Sequence, residues 1–427
     1  MKKTVTRGVD LPQEMLSESD ATWQRAANGI GLTELLRMGS RKILEEAVKA
    51  EIDEYLQRGR YERVAAGHEQ RGFRNGYRLT TIDTNVGPIT YNRQRLADAP
   101  DFASAYYRPH MRRSEEFAES VTDMYVHGVS TRNIKKALRA VGGRKMKISR
   151  STVSRITVRM REEFAAWQKR DLSDLKVAYL FLDAIRVGMR MGERGKDCVF
   201  IAYAALEDGS FETLSIGLGN SESDKSWGMF VGDLKKRGLK DPLLAISDGN
   251  SAVCSAIDAH FPESWRQRCV KHKMENILAQ IPKDKHDEVR GLLNRIFYGA
   301  TSLEQAKEAL RIFKRDYGKV YASAVSRLQD ELDQSLAFYM FPARHWRRIR
   351  TSNRLERMNK EIRRRLRKIG RHPDENGCLS LIYRLCTEYQ QNKRAFVADD
   401  LVHAMWKKLR EQKREMITQF ELDLLAA

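Results

Sequence analysis

The stretch Val177-Ala178-Tyr179-Leu180-Phe181-Leu182-Asp183 decides the fold. Six apolar residues in a row are too few for a helix face and do not alternate. They read as a strand covered on both sides, ending in one acid. The pattern recurs downstream. Cys198 to Ala205 and Thr213 to Leu218 read as two more strands. Pro242 to Ile246 reads as a fourth, running directly into Ser247-Asp248-Gly249, and a short fifth lies near Arg266 to Val270. A helix through Trp227, Phe230, Val231 and Leu234, closed by Gly238, and another over Ser251 to His260 lie between them. Strands alternating with helices in this way predict an α/β sheet.

The acids are the chemical signal. Asp183 and Asp248 each follow a buried strand, where sites in α/β sheets are built. Buried carboxylates are costly unless paired or bound to a cation. Two on neighbouring strands would repel, and a divalent metal removes that penalty. Hard cations such as Mg²⁺ take oxygen ligands and keep positions open for phosphate. Two such ions can activate a water or hydroxyl and stabilise the leaving oxygen, which calls for a third acid. Glu356 is the candidate. Asn353, Glu356 and Asn359 lie three apart on a basic helix, with Lys360 and Arg363 continuing that face and Arg364 beside it, these three as candidate contacts to DNA phosphates. Glu361 points to another side. The competing reading of each Asp alone is a turn or cap, since Asp-Gly is a common turn pair.

Upstream, the chain reads as helices and a hairpin. Residues 32 to 58 carry helical periodicity through Leu35, Ile43, Leu44, Val48, Ile52 and Leu56. Arg71 to Arg78 interleaves arginine, glycine and aromatics, a pattern that suits phosphates and stacked bases or, equally, a solvated turn. Thr80 to Tyr91 reads as a hairpin with Gly87-Pro88 at its turn. Three helices follow: Ser114 to Val126, Thr131 to Val141 behind the cap Ser130, and Thr152 to Trp167 behind Ser149 or Ser151. Two helices around Gly128-Val129-Ser130, then a polar helix start, read as a helix-turn-helix. Arg132, Arg150, Ser151, Thr152 and Arg155 are its candidate DNA contacts. The bland alternative is a three-helix bundle with a solvated polar face.

Bulk composition agrees. The 427 residues hold 77 Lys+Arg against 57 Asp+Glu, a formal charge of +20, which favours a polyanionic partner. No apolar run approaches the roughly 20 residues of a membrane helix, and no signal peptide is expected. Five scattered cysteines argue against a disulfide framework and for a cytoplasmic protein. The predicted organisation is 1–112, helical and hairpin; 113–170, helix-turn-helix; 171–272, first part of the sheet domain; 273–345, helical insertion; 346–395, second part; 396–427, amphipathic tail.

In order along the chain, these residues resemble the bacterial Mutator-type insertion-sequence transposases. Gly128-Val129-Ser130-Thr131-Arg132 and Ser151-Thr152-Val153-Ser154 are similar to the family's helix-turn-helix signature. Phe181-Leu182-Asp183-Ala184 and Ser247-Asp248-Gly249 resemble its first two catalytic segments. Cys269-Val270-Lys271-His272 resembles its Cys-x-x-His signature, and Thr351 to Asn359 its Asn-x-x-Glu segment. The resemblance implies an RNase H-like core with a helical insertion between Asp248 and Glu356. It also implies Asp183, Asp248 and Glu356 as ligands to Mg²⁺ or Mn²⁺, two ions per site. Terminal inverted repeats and target DNA are the implied partners, bound by a homodimer or larger multimer associated with the bacterial nucleoid. Cys269 and His272, half of a zinc site at most, are expected to support the active-site floor, as are Asn353 and Asn359. Two rivals remain: an RNase H-like resolvase that cuts without strand transfer, and a non-catalytic helix-turn-helix regulator.

Overall fold

The computed structural model describes residues 31–64, 70–108, 110–142, 146, 148–187, 198–219, 221–369, 375–391 and 398–426. The chain divides into two compact units, Met1–Thr157 and Val158–Ala427. The division falls inside the helix Arg150–Gln168.

In the first unit, α1 (Leu32–Leu56) buries Val48, Ile52 and Leu56 against Leu96 and Phe102. Strands β1 (Phe73–Thr84) and β2 (Gly87–Ala97) form an antiparallel hairpin. It is longer than the alternation of Thr80 to Tyr91 suggested, and its turn is Asn85-Val86, one step before Gly87-Pro88. The Arg71 to Arg78 stretch enters β1. Arg74 is held by Asp53 at 2.5 Å, while Tyr77 and Arg78 are exposed.

Helices α2 (Glu115–Val126), α3 (Thr131–Gly142) and α4 (Arg150–Gln168) follow. Each start has a serine cap: Ser114 accepts from the Phe117 amide, Ser130 from Asn133 and Ser149 from Thr152. Such caps satisfy amide groups that a helix start leaves open. Phe117, Val121, Ile134, Leu138, Ile148 and Val153 form the cluster's core.

The second unit is built on a five-stranded sheet of β3 (Val177–Arg186), β4 (Cys198–Leu206), β5 (Phe211–Gly219), β6 (Leu244–Ser247) and β7 (Trp265–Arg268). The spatial order is β5-β4-β3-β6-β7. The pairs β3–β4 and β4–β5 are antiparallel, and β3–β6 and β6–β7 parallel. Helices α5 (Asp224–Lys236) and α6 (Ser251–His260) cover one face. Their Trp227, Val231, Val253 and Ile257 share a core with Leu180, Leu182, Phe200 and Ala202. Side chains alternate across a strand, so Tyr179, Phe181 and Asp183 point to the other face.

After β7 the chain is helical. Helices α7 (Val270–Leu278), α8 (His286–Asn294), α9 (Leu303–Tyr317), α10 (Ala322–Gln329), α11 (Leu332–Leu336) and α12 (Ala343–Ile349) precede α13 (Asn353–Ile369) and α14 (Glu375–Gln391). The last helix, α15 (Asp400–Ala426), is more than an appended tail. Its Trp406 is buried and donates to the Tyr179 hydroxyl at 3.0 Å, which also meets His345 Nδ1 at 2.8 Å. Arg410 reaches the Asp241 carbonyl and Glu207. The architecture is thus mixed α/β, with one five-stranded sheet, one hairpin and many helices among the described residues. No described helix is long and apolar enough to cross a membrane.

Candidate active site

Asp183 lies within β3, opposite Ile201 of β4, and not beyond the strand as its sequence suggested. The antiparallel partner β4 keeps β3 extended to Arg186, whereas the parallel partner β6 stops at Ser247. Phe181 is level with Ile246, so two steps further along both strands Asp183 comes abreast of Asp248. Parallel neighbours lie about 4.8 Å apart. Asp248 itself closes a tight turn. Its Oδ1 accepts from the Asn250 amide at 2.9 Å, and Asn250 caps α6. Gly249 takes φ of 86°, and a Cβ there would strike the Arg268 side chain at 2.5 Å, so this turn requires glycine.

Helix α13 brings the third acid and an amide. Asn359 is fully buried, and its Nδ2 donates to Asp183 Oδ2 at 2.7 Å. One turn earlier, Glu356 takes Lys271 Nζ on Oε2 at 2.5 Å and the Ser352 hydroxyl on Oε1 at 3.3 Å. His272 Nε2 lies 3.7 Å from Oε1. Burial, aided by the charges of Asp248 and Glu356, pushes the Asp183 carboxyl up to about 6, against the Ala184 amide and His272. Asp183 therefore feels both other acids.

Cys269 and His272 lie beside Glu356. Cys269 is buried at the start of α7, and both the amide and hydroxyl of Ser352 lie 3.3 Å from its Sγ. Burial opposes its ionisation, but His272 and Ser352 outweigh burial and hold the thiol below its usual range. Interaction with the thiol first, then the charges of Glu356 and Asp248, raises His272 to about 9 despite desolvation. Ligand atoms of Cys269, His272 and Glu356 lie within 4.8 Å of one another. Asp183 and Asp248 stand outside that tight group, in which Glu356 is paired with Lys271 of α7. His260 and His286, the other histidines near in sequence, are elsewhere: His260 lies against Gly232 and His286 on the Ile281 carbonyl.

The structure thus brings together Asp183, Asp248, Glu356, Asn359, Cys269 and His272. Asn353 is exposed at the start of α13 and makes no contact with these acids. Lys360 and Arg363 are exposed, whereas Arg364 pairs with Glu361 at 2.6 Å. On α4, Ser151 and Arg155 are exposed, but Thr152 is buried with its hydroxyl 2.9 Å from Ser149. Thr152 supports that face from beneath and is not on it. The side chains of Arg132 and Arg150 lie outside what the structure describes. Lys271 and Ser352 went unassigned in the sequence. Both stood inside quoted motifs, beside His272 and one residue before α13, but their targets lie 85 and four residues away.

The sequence profile of the transposase Mutator family matches residues 13–395. The transposase for insertion sequence element IS6120 of Mycolicibacterium smegmatis is 34% identical over 65% of this chain and 86% of its own length. The transposase for element ISRM5 of Rhizobium meliloti (strain 1021) is 31% identical, covering 86% of this chain and 89% of its own. Among solved structures, the Drosophila P element transposase strand transfer complex aligns with 73% of this chain and 93% of its own at 12% identity. Its TM-score of 0.28 is too low to speak to the fold.

Proposed function

As a member of the Mutator family this chain is a transposase, and we propose that it cuts and joins DNA with Asp183, Asp248 and Glu356 as the metal-binding acids. One observation carries the site assignment: Asp183 within β3, Asp248 in the turn that directly follows its parallel neighbour β6, and a third acid on the helix whose Asn359 holds the first. An antiparallel trio continued by two parallel strands, with acids at the ends of β6 and in β3, supports an RNase H-like core. The capped trio α2 to α4, with Ser151 and Arg155 exposed, supports a helix-turn-helix that reads transposon ends.

The donor set fits a hard cation. Three carboxylates gather at one end of the sheet, Asp183 is held up in its protonation by burial first and then by the other two acids, and Lys271 and His272 place positive charge beside Glu356. Mg²⁺ or Mn²⁺, two per site, would supply charge neutralisation at the phosphoryl oxygens and a more acidic attacking water or hydroxyl. Asn359 fixes which oxygen of Asp183 faces inward. Lys271 and Ser352 hold Glu356 ready, and His272 offsets part of the acids' charge. In the first step water attacks a phosphodiester at the element's end and the P–O3′ bond breaks, freeing a 3′-hydroxyl. That hydroxyl then attacks a phosphodiester of the target strand, releasing a new 3′-hydroxyl there. No covalent link to the protein is needed. The partners are the terminal inverted repeats and target DNA, bound by a dimer or larger assembly.

Product analysis tests this reading. Labelled DNA carrying the element's ends, incubated with Mg²⁺ or Mn²⁺, should yield nicked ends and joined products. Cutting without joining would favour a resolvase-like nuclease. End-specific binding with no cutting under either metal would favour a regulator.

A further inference from the structure

A second cationic feature lies beside the acids, on the other side of the start of α13. Arg347, Arg348, Arg350, Arg354 and Arg357 converge on one cleft of about 460 Å³. No carboxylate lines it, and none of the five arginines forms an ion pair among the described residues. Arg348 and Arg350 are held below the usual guanidinium range by burial first and then by neighbouring arginines. Five like charges gathered without a counter-charge are costly, and an anion would repay that cost. The guanidinium fork suits phosphate oxygens bidentately. Thr351 and Asn353 also line the cleft at the start of the 17-residue α13, whose open amides favour negative charge.

The walls are aromatic as well as basic. Tyr298 is 39% exposed, and the Arg350 guanidinium stacks 4.3 Å from its ring centre. Tyr389 lines the cleft and meets the Arg354 carbonyl at 3.3 Å. Aromatic faces beside arginines are platforms for unstacked bases. A volume of about 460 Å³ is that of a cleft for one small ligand and not for a length of duplex. A single nucleotide with its flanking phosphates matches both its size and its chemistry.

We propose that this arginine cleft binds an unpaired nucleotide of the DNA strand adjoining the bond that is cut, gripping its two phosphates and stacking its base on Tyr298. The proposal rests on the transposase reading above, and adds a single-strand subsite that the acids do not provide. It places the subsite one helical turn from Glu356 while leaving Glu356 itself facing Lys271.

Anisotropy with two probes tests it on the full chain: a fluorescein-labelled oligothymidylate of about twelve nucleotides and a blunt duplex bearing the element's end. Arg347→Gln/Arg357→Gln removes two exposed charges outside the core, so folding should survive, which circular dichroism checks. The double variant should weaken oligothymidylate roughly tenfold or more and lower its salt slope by about 1.4, as two lost phosphate contacts require. Tyr298→Ala should weaken it about fivefold or more, with Tyr298→Phe restoring binding. Duplex affinity should move less than about twofold. Oligothymidylate binding unchanged in the variants would overturn the subsite alone, because the parent chain would still bind and cut. Equal weakening of both probes would make the cleft a general backbone contact and also overturn it. A parent chain that neither binds nor cuts any DNA would bring down the transposase reading itself.

Discussion

At the active end of the second unit, the polar side chains that matter are tied to one another. Asn359 holds Asp183, Lys271 and Ser352 hold Glu356, and Asn250 shares the turn of Asp248. In the first unit the polar residues at the start of α4 divide differently. Thr152 turns inward onto Ser149, and Ser151 and Arg155 face solvent. Chemistry on charged oxygens needs fixed geometry, and the proposed acids, in β3, in the turn after β6 and on α13, are held by neighbours. Recognition of a long polyanion needs reachable charge, which the start of α4 offers at Arg155. On the proposed reading, cutting and finding DNA are separate properties, and substitutions should move them separately.

The largest effect that would sharpen this contrast is at Asp183. Asp183→Asn should lower end cleavage by about 10³-fold or more, roughly 4 kcal/mol of barrier, with duplex binding unchanged. Gel assays of cleavage beside anisotropy of binding check it. Phe200→Ala, in the sheet's core against Trp227 at 4.5 Å, should cost about 3–5 kcal/mol in a denaturant melt. A smaller cost would mean that the sheet is a looser platform than its burial implies. Asn359→Ala should leave the fold intact and reduce cleavage about 10- to 100-fold, since it only orients Asp183. Arg155→Ala inverts the pattern. It should weaken end binding by about 1–3 kcal/mol and lower the salt slope by about 1, with cleavage at saturating DNA preserved. Smallest, Ser149→Ala should cost about 1 kcal/mol of thermal stability through the lost cap of α4. If Arg155→Ala instead stopped cleavage at saturating DNA, the separation of the two roles would break.

Much of this was legible in the sequence because it is local. Apolar runs marked the first four strands of the sheet, and serines marked the helix starts at Ser114, Ser130 and Ser149, the last left open between Ser149 and Ser151. Two Asp after apolar runs and one Glu on a basic helix pointed to the proposed acids. What was not legible depends on partners far apart in the chain. The placement of Asp183 inside β3 follows from the antiparallel neighbour β4, which keeps the strand extended past the point where β6 stops. Lys271 finds Glu356 only because β7 runs into α7 beside α13. The last helix read as a tail because amphipathicity does not say which surface it covers, and Tyr179 supplies that surface through Trp406.

Single-turnover cleavage of an end duplex, with the protein saturated by DNA and Mg²⁺ present, tests the central claim most directly when the parent chain is set beside Glu356→Gln. Saturation removes binding from the comparison, and the isosteric change removes one charge while keeping the side chain's shape. The account predicts equal DNA affinity and cleavage lost by about 10³-fold or more. Cleavage by Glu356→Gln at the parent rate would contradict it, and would move the chemistry away from the acids of β3, β6 and α13.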